Sequence, residues 1–238
     1  MIRTAVSVSL VAAVALLAGA MAGLAQAKPV RSEIWDLELG REAQALPDEF
    51  AEYACGGNGG PPAIPLAGFT DFRRCRAEPD GLREVYFRYD DELEYWAKAH
   101  NLATEIEQFS GTRVYNFPVI ASALFNDAGR LAGLRIVSDA RDPSQRREDA
   151  HVLRNFLTAR YGREGWECVD LPAADGEAPV GRTFIKQSCR KSLATRAIAS
   201  LDTRLLRKRG QEAFDPRSGR ETQGQFESRV RFELRAAE

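Results

Sequence analysis

A glycine- and proline-rich stretch bounded by two cysteines, CGGNGGPPAIPLAGFTDFRRC at 55–75, is the first candidate for chemistry in this sequence. A phosphate-binding loop places its glycines after a strand and at the start of a helix, so that backbone N–H groups and the helix dipole face the anion. Here the glycines at 56–60 run into Pro61 and Pro62, and no Gly-Lys-Ser/Thr follows them. The stretch is therefore predicted to be a surface strap closed by a disulfide, with recognition of a partner as its functional alternative.

The chain has four cysteines, and an even number in an exported protein predicts disulfides. Three pairings are possible, and the local one is favoured because the two gaps are similar and each spans one turn-rich segment between predicted strands. A zinc site would need close ligand pairs such as C-x-x-C, and a redox cysteine would need C-x-x-C or a neighbouring histidine. Neither pattern is present, so we predict no metal, no cofactor and two structural disulfides, Cys55–Cys75 and Cys168–Cys189.

The acidic set of most interest for catalysis comprises Asp90, Asp91, Glu92 and Glu94. A glycosidase needs two carboxylates that face each other across a cleft, and adjacency in the sequence does not establish that geometry. The two histidines, His100 and His151, lie in segments predicted to be helical, and neither G-x-S-x-G nor H-E-x-x-H occurs. The acids are therefore predicted to form a turn or the first turn of a helix. The alternative is an exported hydrolase in which Asp90, Asp91 or Glu94 meets His100 or a tyrosine across a cleft.

A basic run near the C-terminus is the strongest local charge feature, and its candidate partner-binding residues are Arg204, Arg207, Lys208 and Arg209. Between residues 190 and 238 there are 12 Lys+Arg against 7 Asp+Glu. Nucleic acid would be the expected partner inside a cell, but in an exported protein we expect anionic lipid, glycan phosphate or an envelope protein instead. The alternative is a solvated surface, or one paired with the acidic remainder of the chain.

The first 27 residues have the layout of a secretory signal peptide. Arg3 precedes an apolar run at 5–24, and Ala25 and Ala27 form an A-x-A cleavage site before Lys28. A membrane anchor is the alternative, but the run is rich in alanine and glycine and barely reaches spanning length. We therefore predict a periplasmic or secreted protein of residues 28–238, without a membrane span in the mature chain.

Hydrophobic periodicity predicts strands in hairpins, together with a few helices. Strands are expected at 82–89, in a hairpin of 114–125 with 131–139, in a second hairpin that Cys168–Cys189 closes, and at 225–235. A helix should begin near Pro143, bury Val152, Leu153, Phe156, Leu157 and Tyr161, and end at Gly162. The segment 90–109 fits either a helix or a strand, and we favour the helix.

These elements predict an α+β fold, with antiparallel hairpins, helices packed on one face and two local disulfides. The mature chain is expected to be a single domain, with its one candidate boundary near residue 140. No sequence feature defines a reaction. The sequence therefore favours a non-catalytic binding or envelope-associated module, with the exported hydrolase as the alternative.

Overall fold

Antiparallel strands dominate the structure of the chain. The computed structural model describes residues 32–89, 92–109, 112–115, 117–139, 150–211, 213–214, 217, 221–222 and 226–236. The strands are β1 Phe50–Cys55, β2 Pro65–Leu66, β3 Arg83–Tyr89, β4 Arg113–Val114, β5 Phe117–Phe125, β6 Leu131–Ser138, β7 Glu167–Asp170, β8 Glu177–Ala178, β9 Ile185–Ser192, β10 Ile198–Lys208, β11 Ala213–Phe214, β12 Glu221–Thr222 and β13 Glu227–Arg235. The helices are α1 Glu92–Ala99, α2 Ala103–Phe109 and α3 Ala150–Arg160, with 3₁₀ turns at Ile34–Asp36, Ala43–Ala45 and Phe69–Arg74.

One large sheet of 11 strands replaces the α+β arrangement that the sequence predicted, so that prediction was wrong. Nine strands follow one another in the order β2-β1-β3-β5-β6-β13-β10-β9-β7, while β4 joins β5, β8 joins β10, and β11 with β12 forms a separate ribbon. The described helices are short, and only α3 makes extensive contact with the central strands, β10 and β13. The error arose because strand pairings between distant segments leave no local signature in the sequence.

One face of the sheet carries the hydrophobic core. A cross-strand row of side chains that begins at Tyr53 and Phe87 continues through Ile136, Phe232 and Leu201. All of these residues are at least 92% buried, and they belong to one cluster. Because side chains alternate between the two faces of a strand, the residues between them must point to the opposite face.

Helix α3 covers part of this core face. Leu153 and Leu157 are fully buried, as the sequence predicted, whereas Phe156 is 43% exposed, so that part of the predicted stripe was wrong. The chain leaves the helix at Gly162, where φ is +84°. The ammonium group of Lys191 donates hydrogen bonds to the carbonyl oxygens of Tyr161, Gly162 and Glu164, and so caps the end of the helix.

Both predicted hairpins are present, as β5–β6 and β7–β9. The described part of the segment 90–109, from residue 92 on, holds two helices, α1 and α2, with Asn101 between them in the left-handed conformation at φ +53°. The predicted C-terminal strand is β13, and it lies in the middle of the sheet between β6 and β10. Residues far apart in the chain are thus neighbours at the centre of the fold.

Both local disulfides are present. Cys55 is bonded to Cys75, and Cys168 is bonded to Cys189, which lies directly opposite it on the neighbouring strand. Within the described ranges, no helix combines the length and the apolar character that crossing a membrane requires. The predicted signal peptide at 1–27 and the residues around 140 lie outside the described residues.

Candidate binding face

The side of the sheet opposite the core is lined largely by charged side chains, and we call it the charged face. It consists of alternate residues of the central strands, and its first row runs from Ser122 through Arg135 and Glu233 to Ser200. The next row contains Arg231 directly opposite Asp202. The charged face is therefore built by β5, β6, β13 and β10, which come from both halves of the chain.

Arg135 is the hub of the charged face and is only 1% exposed. Its guanidinium group binds both carboxylate oxygens of Glu78, at 2.6 and 2.8 Å, and lies 2.9 Å from Glu84 and 2.7 Å from Glu233. Burial alone would lower the pKa of Arg135, but these three carboxylates outweigh it and raise the pKa above its ordinary value. A buried arginine with three partners keeps its charge and fixes their positions.

The glycine-rich loop at 56–60 lies against this hub. Asn58 and Gly59 have positive φ angles of +57° and +76°, and their backbone N–H groups point at the Glu84 carboxylate. Successive N–H groups in such a turn form a concave anion-binding nest. The anion that the loop holds is therefore a carboxylate of the protein itself, and the loop joins β1 to the charged face as the predicted strap.

Replacement of Gly56 by alanine should destabilise this contact. A Cβ atom at Gly56 would lie 2.2 Å from Cγ of Glu84, which cannot move away without leaving Arg135. We expect a loss of about 1–3 kcal/mol in the free energy of unfolding, measured by urea denaturation. The matched control is Gly68→Ala, since Gly68 is extended and a Cβ there has no neighbour within 4 Å. Equal stability of the two variants would contradict this packing.

A cleft of about 300 Å³ opens beside the hub, and its walls include Asn58, Asp80, Asp202, Arg231 and Arg235. Arg231 donates to the backbone and side-chain oxygens of Asn58, and Arg235 lies 2.8 Å from Asp80. Both arginines also contact Glu233, which lies between them on β13. Most charges in the cleft are thus paired with one another.

The electrostatics of the cleft keep two of its carboxylates, Glu233 and Asp80, ionised. Burial would raise the pKa of Glu233, but the charges of Arg135, Arg235 and Arg231 outweigh it and lower the pKa to about 2. The pKa of Asp80 is also lowered, because its hydrogen bonds and the nearby arginines outweigh its burial. These groups are suited to hold charge and to fix geometry, and they are poorly suited to donate a proton near neutral pH.

A row of three cations crosses the charged face beyond the cleft, and we call it the basic row: Lys186, Arg204 and Arg229. Arg204 lies directly opposite Arg229, an arrangement in which like charges destabilise a sheet. Lys186 pairs with Glu177 at 2.7 Å, and Arg204 lies 3.6 Å from Glu227. Among the described residues, Arg229 forms no ion pair.

Burial and the neighbouring charges of Arg231 and Arg204 lower the pKa of Arg229, and the attraction of Glu227 and Asp202 does not restore it. The positive charge of Arg229 is thus held in an unfavourable environment. Arg229 is the member of the basic row that lacks an ion pair among the described residues, and an anion bound there would supply a counter-charge.

The structure separates the four basic residues that the sequence singled out. Arg204 points to the charged face with 44% of its side chain exposed, and Lys208, 52% exposed, lies 2.6 Å from Glu227. Arg207 is buried, with only 6% of its surface exposed, because side chains alternate along β10 and that of Arg207 points to the face opposite Arg204 and Lys208. Arg209 lies in the following turn, where it is 79% exposed and 3.6 Å from Asp175. Only Arg204 belongs to the basic row.

The structure describes only part of the set of residues proposed for a hydrolase. Asp90 and Asp91 lie outside the described residues, and Glu94 belongs to α1. His100 lies just after the end of α1, exposed, with its ring 4.8 Å from that of Trp96. Within the same ranges, no group of three or more His, Cys, Asp or Glu side chains is placed to hold a metal ion.

Sequence reasoning missed Arg135, Glu84 and Arg229. The alternation of 225–235 did place Arg229 and Arg231 on one face, but it did not show that this face meets β10 and β6. An arginine within an apolar strand, such as Arg135 in LAGLRIVS, was the signal for a buried ion network.

No protein-family model matches the chain, and neither a curated protein nor a solved structure matches it. The charged face and its basic row are therefore the observations that bear on function.

Proposed function

We propose that the chain is an exported, non-catalytic binding module that contacts an anionic envelope component, or the acidic face of an envelope protein, through the basic row. The observation that carries this proposal is the direct opposition of Arg204 and Arg229, with Arg231 two residues along β13. Such a cluster costs stability when it is empty, and it gains favourable contacts when phosphate or carboxylate groups bind.

The charges around the cleft support binding over hydrolysis. A hydrolase of the predicted kind needs a protonated acid near a second, ionised carboxylate. The cleft instead holds Glu233 with a pKa of about 2 and ties it to three arginines. A rigid, ionised surface of this kind positions a charged partner without supplying a proton.

The covalent structure supports export. All four cysteines are joined in disulfides, which persist in the periplasm and outside cells but are rare in the cytosol. Together with the signal peptide that the sequence predicts at 1–27, they support a partner in the cell envelope or in the surrounding medium.

Arg229→Gln should separate stability from binding. Removal of a cation from the opposed pair should raise the free energy of unfolding by about 0.5 kcal/mol, because the repulsion from Arg204 and the burial of charge disappear. The same variant should bind the anionic partner more weakly. Thermal denaturation and partner capture measure the two effects on one preparation, and a destabilised variant with unchanged capture would contradict the role of Arg229.

The partner can be identified by capture from envelope extract with the purified protein as bait, followed by mass spectrometry. We expect one or more components to be lost when Arg204 and Arg229 are both replaced by glutamine. Arg209→Gln is the matched control, since it removes an exposed arginine outside the basic row. Retention of every component by the double variant would refute the proposal.

A further inference from the structure

The edge strand β7 offers a second surface, next to the Lys186 end of the basic row. It is the last strand of the nine-strand path, and each of its four residues is exposed. The opposite edge, β2, has only two residues and begins with Pro65, whose nitrogen cannot donate a hydrogen bond. Natural edges are commonly protected by proline, by a bulge or by charged side chains, lysine above all. β7 contains no proline and no lysine, its register with β9 is continuous, and its two charged residues, Glu167 and Asp170, are both acidic.

The pairing with β9 shows which backbone groups of β7 face outward. The N–H of Leu171 donates to the carbonyl oxygen of Lys186 at 2.7 Å, so residue 171 points towards β9. Because this direction alternates along an antiparallel strand, Val169 also points towards β9, while the N–H and C=O groups of Cys168 and Asp170 point away. Across the described residues, those outward groups make no hydrogen bond.

The side chains of this edge define what could pair with it. Val169 is 60% exposed and Leu171 is 39% exposed, and both lie on the side of the charged face. Asp170 lies on the other side with an exposed carboxylate that accepts a hydrogen bond from Gln187. The disulfide between Cys168 and Cys189 fixes β7 to β9, so the edge is ordered before anything binds.

We propose that β7 binds an extended segment of a partner polypeptide in which apolar and basic residues alternate. The outward N–H and C=O groups of Cys168 and Asp170 pair with its backbone, as in other cases of strand addition. Its apolar side chains contact Val169 and Leu171, and its basic side chains lie on the side of Asp170. Charge complementarity thus selects a basic strand over an acidic one.

The test uses an eight-residue peptide of alternating valine and lysine with blocked ends, titrated into the purified protein by isothermal calorimetry. Asp170→Pro removes the outward N–H without removing a bond to β9, and we expect it to weaken binding at least tenfold. Asp170→Ala keeps the N–H and is the matched control, with a loss of about threefold. A peptide of alternating valine and glutamate should bind at least tenfold more weakly than the lysine peptide.

Amide hydrogen exchange locates the peptide, since binding should protect the N–H groups of Cys168 and Asp170. If Asp170→Pro does not fold, a peptide with N-methylated lysines tests the same hydrogen bonds on the unaltered protein, because in antiparallel pairing the residues opposite Cys168 and Asp170 are the lysines. The methylated peptide should bind at least tenfold more weakly. Equal binding of the methylated and unmethylated peptides would overturn the proposal. Equal binding of the glutamate and lysine peptides would also overturn it. A dimer in sedimentation that the lysine peptide cannot dissociate would do the same, because a second copy of the chain would then occupy the edge.

Discussion

Arg135→Met is expected to lower the free energy of unfolding by about 3–5 kcal/mol, the usual cost of removing one partner from a buried ion network. Three carboxylates would lose their shared cation, and Glu84 is itself only 3% exposed. Urea denaturation monitored by tryptophan fluorescence measures the change. Arg130→Met is the control, because Arg130 forms an ion pair with Glu42 at the surface, where 54% of its side chain is exposed. Such exposed pairs contribute little.

The same network predicts how this loss combines with that of Gly56→Ala. Both substitutions act through the position of Glu84, which contacts Gly56 on one side and Arg135 on the other. Effects that share a partner do not add. We expect the double variant to lose less stability than the sum of the single variants. A loss of less than about 1 kcal/mol for Arg135→Met alone would show that the network is a surface feature.

The second large effect is the loss of stability in acid. The pKa of Glu233 is about 2 in the folded protein, below its ordinary value of 4.5, because the three arginines outweigh its burial. A lowered folded pKa contributes stability that is present above the ordinary value and is lost as the pH falls through the folded value. We therefore expect a loss of about 3 kcal/mol between pH 5 and pH 2 from this residue. Asp80, whose pKa is also lowered, adds to it in the same direction.

Glu233→Gln tests this assignment. The variant should be less stable than the natural protein at pH 7, and its free energy of unfolding should fall less steeply between pH 5 and pH 2. Glu38→Gln removes an exposed carboxylate whose one ion-pair partner in the described part of the chain is the nearby Arg41, and it should follow the curve of the natural protein. Parallel curves for Glu233→Gln and the natural protein would contradict the lowered pKa.

The sequence predicted the local elements of this chain well. Alternation identified β3, β13 and both hairpins, and the similar spacing of the cysteines led to the disulfides that are present. Gly162 marked the end of α3. Its φ angle is positive, a conformation that glycine adopts at little cost because it has no Cβ atom. These features depend on residues close together in the chain, where periodicity and turn preferences act.

The arrangement of the elements could not be predicted. Nothing near β13 indicates that it lies between β6 and β10, so the sequence did not reveal one large sheet in place of an α+β fold. The basic row depends on the same pairing, because Arg204 and Arg229 meet only when two strands 25 positions apart are in register. The basic run in the sequence therefore included Arg207, which the strand turns away from the surface, and it missed Arg229.

The most direct measurement of the central claim is the salt concentration at which the purified protein elutes from a polyanion column such as immobilised heparin. We expect the natural protein and Arg209→Gln to elute together, and the variant with both Arg204→Gln and Arg229→Gln to elute at distinctly lower salt, because two opposed cations are lost from one surface. Co-elution of all three proteins would contradict an anion-binding role for the basic row.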